Sequence, residues 1–311
     1  MLVTAAFTRV EGGAAQLDFL PDAQAPSLGY IVTATREGGI DLFDLDGALK
    51  TRHAGARLTG LATAPGFQIR GETLPLIFGA SPDASSLLGY AVARDDNQVF
   101  DLPLQPLEPL DGIAGLCLLR EGTGFVELVV LGDGARGEIW RVRDAGEDLL
   151  SVERVRDFAL PGPARQCDTQ DGDIYVASPG AGLARLDAEG NLLAEANFPA
   201  SSVAVDDYSG TRVVLATNGS DGLVHAFNGD DLEPRLRIDV VDGLSTAGVE
   251  APGAIASTGV NYGFTAYRNG MVAVFDGNDQ RVKLISRDAF VRTLLAPAET
   301  VMPGETAGEA G

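Results

Sequence analysis

The chain has 311 residues and carries 44 Asp and Glu against 23 Lys and Arg, which gives a formal net charge of −21. An acidic balance of this size, with no basic cluster along the chain, argues against a nucleic-acid partner and against an anionic membrane surface. No apolar run reaches the length of a transmembrane helix, and residues 1–7 lack the cationic start and the apolar core of a signal peptide.

One unit recurs along the chain at intervals of about 40 to 50 residues, a spacing typical of propeller blades. In it, a short apolar strand runs into an acidic or glycine-containing turn. The clearest copies are residues 39–47, 88–95, 137–144, 182–187 and 222–229. Another β-rich run precedes most of them, at residues 74–80, 126–132, 173–178 and 211–217. The pattern predicts an all-β fold, a six-bladed β-propeller with four antiparallel strands in each blade.

The repeat predicts the extent of the domain. It runs without a break to about residue 295, so we expect one propeller domain over residues 1–295. Residues 296–311 have no apolar period and are rich in Pro, Gly, Ala and Glu, which predicts a disordered tail or a linker. A linker would join this domain to a second propeller in the same or a longer chain.

An N-terminal strand is expected to close the ring, because an open ring leaves two exposed sheet edges. Ala14–Leu20 has strand character and lies ahead of the first copy of the unit. We expect it to complete the last blade, beside Met271–Asp276 or residues 282–286. A loose N-terminal arm is the alternative.

The cysteines and histidines give little sign of chemistry. Cys117 and Cys167 lie in successive blades, outside any CxxC motif and away from histidine, so buried free thiols are expected rather than a disulfide or a metal site. His53 and His225 lie in separate blades, and no G-x-S-x-G motif occurs. These facts argue against a Ser/His/Asp hydrolase and against a histidine zinc site.

Three acidic loops, at residues 44–47, 206–210 and 228–231, contain Asp or Asn close to Gly or a second Asp. The first imitates the start of a calcium loop, but the later EF-hand ligands do not follow. Tight β-turns require the same residue types. We interpret all three loops as turns between strands.

Several segments are similar to those of one known family. Residues 31–47, 173–186 and 211–227 align with its first, fourth and fifth blades. In the last blade, residues 246–250 (TAGVE) resemble its T-D-G-I-D/E motif, and residues 262–270 (YGFTAYRNG) and 282–285 (VKLI) resemble P-x-G-x-F-V-x-Q-D-G and F-K-x-V. The family is the calcium-dependent β-propeller phytases (3-phytases), which remove phosphate from myo-inositol hexakisphosphate. Its members suggest a secreted or periplasmic protein.

This resemblance implies a site at the mouth of the central channel, where acidic residues hold calcium ions that, with Lys and Arg, bind an inositol phosphate or another small anionic ligand. Carried over position by position, it gives Arg36, Asn218 and Lys283 as substrate-binding residues. It gives Glu250 and Asn269 as metal-binding residues. No catalytic residue is assigned.

At other positions the ligands of the family are replaced. Its D-D-P-A motif falls at residues 21–26 (PDAQAP), which leaves only Asp22, and its N-x-D-x-R strand falls at Gly60–Ala64 (GLATA). Its E-G pair and its D-I-E-G motif fall at residues 165–166 (RQ) and 199–202 (PASS). Calcium needs about six to eight oxygen ligands. The sequence therefore predicts a degenerate site with weak or no phosphatase activity, in an auxiliary or binding domain.

Two alternatives stay open. One is an active calcium-dependent phytase or phosphomonoesterase with a reduced site. The other is a propeller hydrolase of the gluconolactonase type, which needs one divalent metal in the channel.

Overall fold

The computed structural model describes residues 1–146, 148–263 and 265–294 of the chain. It contains six four-stranded antiparallel sheets arranged as a six-bladed β-propeller, which confirms the predicted fold class. The predicted tail at residues 296–311 lies outside the described residues. The described part contains no helix long and apolar enough to cross a bilayer.

In blades 1 to 5 the four strands follow one another in chain order outward from the central channel, and in blade 6 the outermost strand comes from the N-terminal segment. Blade 1 comprises Ala14–Leu20, Tyr30–Thr35, Ile40–Phe43 and Leu49–His53. Blade 2 comprises Gly60–Ala64, Leu76–Ser81, Ser86–Ala93 and Gln98–Leu102. Blade 3 comprises Gly115–Gly122, Phe125–Leu131, Arg136–Arg143 and Ser151–Ala159. Blade 4 comprises Gln166–Gln170, Asp173–Ser178, Gly182–Leu186 and Leu192–Ala196. Blade 5 comprises Ser202–Asp207, Arg212–Thr217, Val224–Asn228 and Pro234–Ile238. Blade 6 comprises Pro252–Thr258, Met271–Asp276, Arg281–Ser286 and Ala5–Ala6.

Two short strands, a 3-10 helix and an α-helix complete the described structure. Gln68–Ile69 pairs with Glu72–Thr73, and Pro26–Leu28 is a 3-10 helix. The helix Arg287–Leu294 follows blade 6 and buries Phe290 and Leu294 against the apolar cluster between blades 5 and 6.

Ring closure follows the expected principle but uses a different strand. Ala5–Ala6 pairs with Arg281–Ser286 and forms the outermost strand of blade 6. Ala14–Leu20 pairs with Tyr30–Thr35 and is the innermost strand of blade 1, so its predicted place in the last blade is wrong. A strand of two residues leaves no periodic signal in a sequence, whereas the longer strand Ala14–Leu20 does.

The core lies between the blades, in six apolar clusters that each join two neighbours around the ring. Trp140 is fully buried between blades 2 and 3, and Phe7 and Phe275 are fully buried between blades 6 and 1. Burial of a large apolar side chain contributes about 1.5–3 kcal/mol. Each blade therefore depends on both neighbours, and the ring is stable as a unit.

A disulfide joins Cys117 to Cys167, with the two sulfur atoms 2.07 Å apart, so the prediction of two free thiols is wrong. The cysteines lie in the innermost strands of blades 3 and 4, which are neighbours in the ring. Their separation of 50 residues is about one blade, and their Cα atoms are 5.6 Å apart. That distance lies within the range that a disulfide spans.

Candidate functional site

The innermost strands line a central channel and run in the same direction along it. In blades 4 and 5, for example, the backbone N–H groups of Val203 and Val205 donate to the side chains of Gln166 and Asp168, respectively. The upper mouth is the end where these strands begin, at Ala14, Gly60, Gly115, Gln166, Ser202 and Pro252. The lower mouth is the end where they finish, at Leu20, Ala64, Gly122, Gln170, Asp207 and Thr258.

Backbones approach one another closely at the upper mouth. A Cβ on Gly60 would lie 2.2 Å from the backbone nitrogen of Leu116, and a Cβ on Gly115 would lie 2.4 Å from the carbonyl oxygen of Arg165. Ala62 and Ala64, further along the strand, are buried in the apolar cluster between blades 2 and 3. The two alanines, at which the resemblance places the family's Asp and Arg, provide no charged side chain.

Asp18 is a carboxylate of the channel wall, in the innermost strand of blade 1. Its Oδ1 accepts the backbone N–H of Phe19 at 2.8 Å, and its Oδ2 accepts that of Thr63 in blade 2 at 2.9 Å. The surrounding protein desolvates the carboxyl and raises its pKa to about 7, although these hydrogen bonds act in the opposite direction. Asp18 therefore links two blades with a group that is only part ionised at neutral pH.

Asp168 has the same role in blade 4. Its Oδ1 accepts the backbone N–H of Thr169 and its Oδ2 accepts that of Val205 in blade 5, both at 2.8 Å. Desolvation by burial again raises the pKa to about 7, and the negative charges of Asp18 and Asp206 add to the rise. The channel thus contains two similar carboxyl groups that influence each other's ionisation.

Asp206 lies near the lower mouth and has a cationic partner. Arg287, the first residue of the helix, approaches Asp206 Oδ1 to 2.9 Å, and its guanidinium lies 4.6 Å from the ring centre of Tyr208. Ser257 Oγ donates to Asp206 Oδ2 at 3.1 Å and lies 2.8 Å from the Tyr208 hydroxyl. This network joins blades 5 and 6 to the helix and neutralises one channel charge.

Asp18 and Asp168 line a cavity of about 170 Å³ together with Thr63, Thr169 and Ser257. This volume accommodates a few water molecules, with which the two carboxyl groups can exchange protons. Calcium requires about six to eight oxygen ligands. All four carboxylate oxygens of this pair already accept backbone hydrogen bonds. The residues described in the structure include no group of three or more His, Cys, Asp or Glu placed to hold a metal.

Three of the residues predicted from the resemblance lie on the upper side of the ring. Arg36 is exposed in the turn after Tyr30–Thr35, and its Nε donates to the carbonyl of Ala14 at 3.2 Å. Asn218 caps its own turn, because its Oδ1 accepts the backbone N–H of Ser220 at 2.9 Å. Glu250 precedes the innermost strand of blade 6, and its Oε2 accepts from the Asn278 side chain at 2.6 Å.

Among the described residues, no hydrogen bond or ion pair joins these three side chains to one another. The turn after Asn218 lies beside the backbone of Glu250, because a Cβ on Gly222 would lie 3.2 Å from the Glu250 carbonyl oxygen. Each side chain bonds within its own neighbourhood.

The other two predicted residues lie elsewhere. Lys283 is 1% exposed in the third strand of blade 6, where its ammonium pairs with Asp279. Asn269 lies on the lower side, where its Nδ2 donates to Asp288 at 2.8 Å. Asn269 and Glu250 flank opposite ends of Pro252–Thr258. A strand of that length spans about 20 Å, which is too far for the two side chains to hold one ion.

The sequence reasoning missed Asp18 and Asp168. The sequence feature that could have identified them is a single Asp inside a short strand that has no other charged residue. Ala14–Leu20 (AAQLDFL) and Gln166–Gln170 (QCDTQ) both show it. Such residues in innermost strands face the channel, where they bond to the backbone of the next blade.

Six blades around a channel that contains two carboxyl groups of raised pKa define the protein as a six-bladed β-propeller with an acidic interior. The chain belongs to the phytase family, because the family's sequence model, described as "Phytase", matches residues 15–232, more than half of the chain. This match includes blades 1 to 4 and the first three strands of blade 5.

One curated relative is the 3-phytase of Bacillus subtilis (strain 168). It is 20% identical over 217 residues, which cover 66% of this chain and 57% of that protein. The chain thus spans little more than half the length of this relative.

Solved structures support the fold alone. An auxiliary nutrient binding protein from Bacteroides thetaiotaomicron VPI-5482 superposes with a TM-score of 0.55 at 10% identity, covering 90% of this chain and 69% of that one. The β-propeller domain of Cps50 (Swd1) from Myceliophteria thermophila superposes with a TM-score of 0.53 at 12% identity, covering 91% and 98%.

Proposed function

We propose that this protein is a phytase-family propeller with weak or no phosphatase activity, which serves as an auxiliary or binding domain. The observation that carries this proposal is the separation of Glu250 from Asn269 at opposite ends of one strand. Several calcium ions must share carboxylates to neutralise adjacent phosphates. Ligands about 20 Å apart by the rise of the strand do not provide such a cluster.

The partners of the predicted residues also support the proposal. Lys283 is buried and paired with Asp279, so its ammonium is not free to bind a phosphate. Asn218 uses its side-chain oxygen within its own turn. A chain with a net charge of −21 would repel a highly phosphorylated ligand unless cations bridged the two.

A second candidate, an active calcium-dependent phosphomonoesterase with a reduced site, is favoured by the family match and by the similarity to a 3-phytase. The two candidates differ in one measurable quantity, which is chelator-sensitive phosphate release.

The disulfide between Cys117 and Cys167 adds a proposal on location. Disulfides form and persist in oxidising compartments. It therefore supports an exported protein, in line with the expectation of a secreted or periplasmic location.

Phosphate release from calcium phytate, with and without a calcium chelator, tests the proposal. The 3-phytase of Bacillus subtilis serves as the positive control. We expect release at least about 100-fold slower than the control, because the metal supplies several kcal/mol of transition-state stabilisation. Release at a rate similar to the control, abolished by the chelator, would establish the second candidate instead.

A further inference from the structure

A cavity of about 640 Å³ opens between blades 3 and 4 on the lower side of the ring, away from Arg36, Asn218 and Glu250. We call it the arginine cavity. Its blade 3 wall contains Arg120, Arg141 and Arg156, and its blade 4 wall is formed by residues 171–172 and 188–189. Three guanidinium groups around one cavity are unexpected in a chain with a net charge of −21.

A buried carboxylate fixes two of these arginines. Glu127 is 4% exposed, and it accepts Arg120 Nε at 2.7 Å and Arg141 NH2 at 2.6 Å. The ring of Phe125 lies 5.6 Å from the Arg120 guanidinium and 5.5 Å from that of Arg141. Burial alone would raise the pKa of Glu127, but the two arginines outweigh it and lower the pKa. One ionised carboxylate therefore positions two cations in a fixed geometry.

One arginine of the wall, Arg120, keeps N–H donors that a ligand can use. Arg120 is 60% exposed and bonds to Glu127 through Nε alone, and its two terminal amino groups have no acceptor within the described part of the chain. Arg156 is held by the carbonyl of Ala188. Asp171, a wall carboxylate, is already paired with Arg212 at 2.6 Å. Guanidinium groups with unused N–H donors match oxyanions in shape and charge.

We propose that the arginine cavity binds the oxyanion of a small organic molecule, a phosphate or carboxylate group. Arg120 supplies the principal contact and Arg156 adds positive potential, whereas the charge of Arg141 is balanced by Glu127 and by Glu153, the latter at 3.3 Å. Leu119 and Val155 line the same cavity and provide an apolar surface for the body of the ligand. Glu127 and Asp171 are paired with arginines, whereas Glu189 has no cationic partner in the described part of the wall and opposes binding.

Calorimetric titration of the full chain with inorganic phosphate, and separately with citrate, tests this proposal. The Arg120→Gln substitution should raise the Kd of the bound anion about tenfold, because it removes a charge-assisted hydrogen bond. Glu189→Gln should lower the Kd. Saturation by phosphate alone assigns the site to phosphate groups, and saturation by citrate alone assigns it to carboxylates.

Arg136→Gln is the matched control. It removes the same charge from the same blade, but Arg136 lies at the upper end of its strand and pairs loosely with Asp157 at 3.8 Å. We expect its Kd to stay within about twofold of the unsubstituted protein, since a distant exposed charge is screened. The proposal is overturned if neither anion saturates, or if Arg136→Gln weakens binding as much as Arg120→Gln. Thermal midpoints establish that each variant is folded.

Discussion

At the scale of single residues, burial decides the properties of the charged groups. Asp18 and Asp168 are surrounded by channel wall, and desolvation raises the pKa of each to about 7. Lys283 is buried more deeply, at 1% exposed, but lies beside Asp279, which compensates its charge. The nearest charged partner therefore decides whether a desolvated group keeps its charge.

The two channel carboxyl groups predict how stability depends on pH. Their folded pKa of about 7 lies above the ordinary aspartate value of 3.8, so the folded state holds these protons more tightly than the unfolded chain. Their contribution is fully present below about pH 4 and is lost as the pH rises through 7. Each group should lower the free energy of unfolding by up to about 1.4 kcal/mol per pH unit in this window.

Urea unfolding at pH 5 and pH 8 checks this prediction. The Asp18→Asn/Asp168→Asn double variant should lose less stability between the two pH values than the unsubstituted protein. Equal losses in both proteins would show that these carboxyl groups do not carry the dependence.

Lys283 provides a second test at this scale. Asp279→Ala leaves a buried ammonium without its partner and should cost about 3 kcal/mol or more in the free energy of unfolding. Lys283→Met removes the charge and keeps the volume, so it should change stability by less than about 1.5 kcal/mol. Chemical denaturation measures both values. The structural role of Lys283 would be contradicted if the Asp279→Ala variant were as stable as the unsubstituted protein.

At the scale of elements, the innermost strands carry the links between blades. Hydrogen bonds from Thr63 to Asp18 and from Val205 to Asp168 cross two blade interfaces, and the Cys117–Cys167 disulfide crosses a third. These links lie along the channel wall. The wall therefore holds the ring together as well as enclosing the channel.

Loss of the disulfide should destabilise the protein. A Cys117→Ser/Cys167→Ser double variant should lower the free energy of unfolding by about 2–4 kcal/mol, because the crosslink restrains a long loop in the unfolded chain. Urea unfolding with and without a reductant measures the effect. Two titratable thiols in the unreduced, denatured protein would contradict the disulfide.

The elements also show what the sequence could predict. Spacing and turn chemistry sufficed for six blades of four strands, because each blade repeats the same alternation of apolar runs and Gly- or Asp-rich turns. Ala5–Ala6 escaped prediction because two residues have no period. The pairing of the two cysteines and the hydrogen bonds of the channel carboxylates depend on which strands become neighbours in the ring. The residue pattern of a single strand does not contain that information.

At the scale of the whole molecule, the ring is closed by a short segment held through a buried side chain. Ala5–Ala6 completes blade 6, and Phe7, which follows it, is fully buried between blades 6 and 1. The N-terminal segment thereby contributes to the interface that joins the first blade to the last.

Substitution of Phe7 tests this closure. Phe7→Ala should lower the free energy of unfolding by about 3–5 kcal/mol, since it leaves a cavity at the closing interface. Leu2→Ala is the matched control, because Leu2 is 62% exposed in the same segment, and it should change stability by less than about 0.5 kcal/mol. Thermal unfolding followed by circular dichroism compares them. Equal midpoints for both variants would show that the segment does not hold the ring closed.

The family match and the dispersed positions of the predicted ligands lead to our central proposal, a phytase-family propeller without a working calcium cluster. Calorimetric titration of the full chain with calcium tests it most directly. We expect no site tighter than about 1 mM, the weak end of protein calcium affinities. Two or more calcium ions bound at micromolar affinity, with a rise in the thermal midpoint, would contradict this claim.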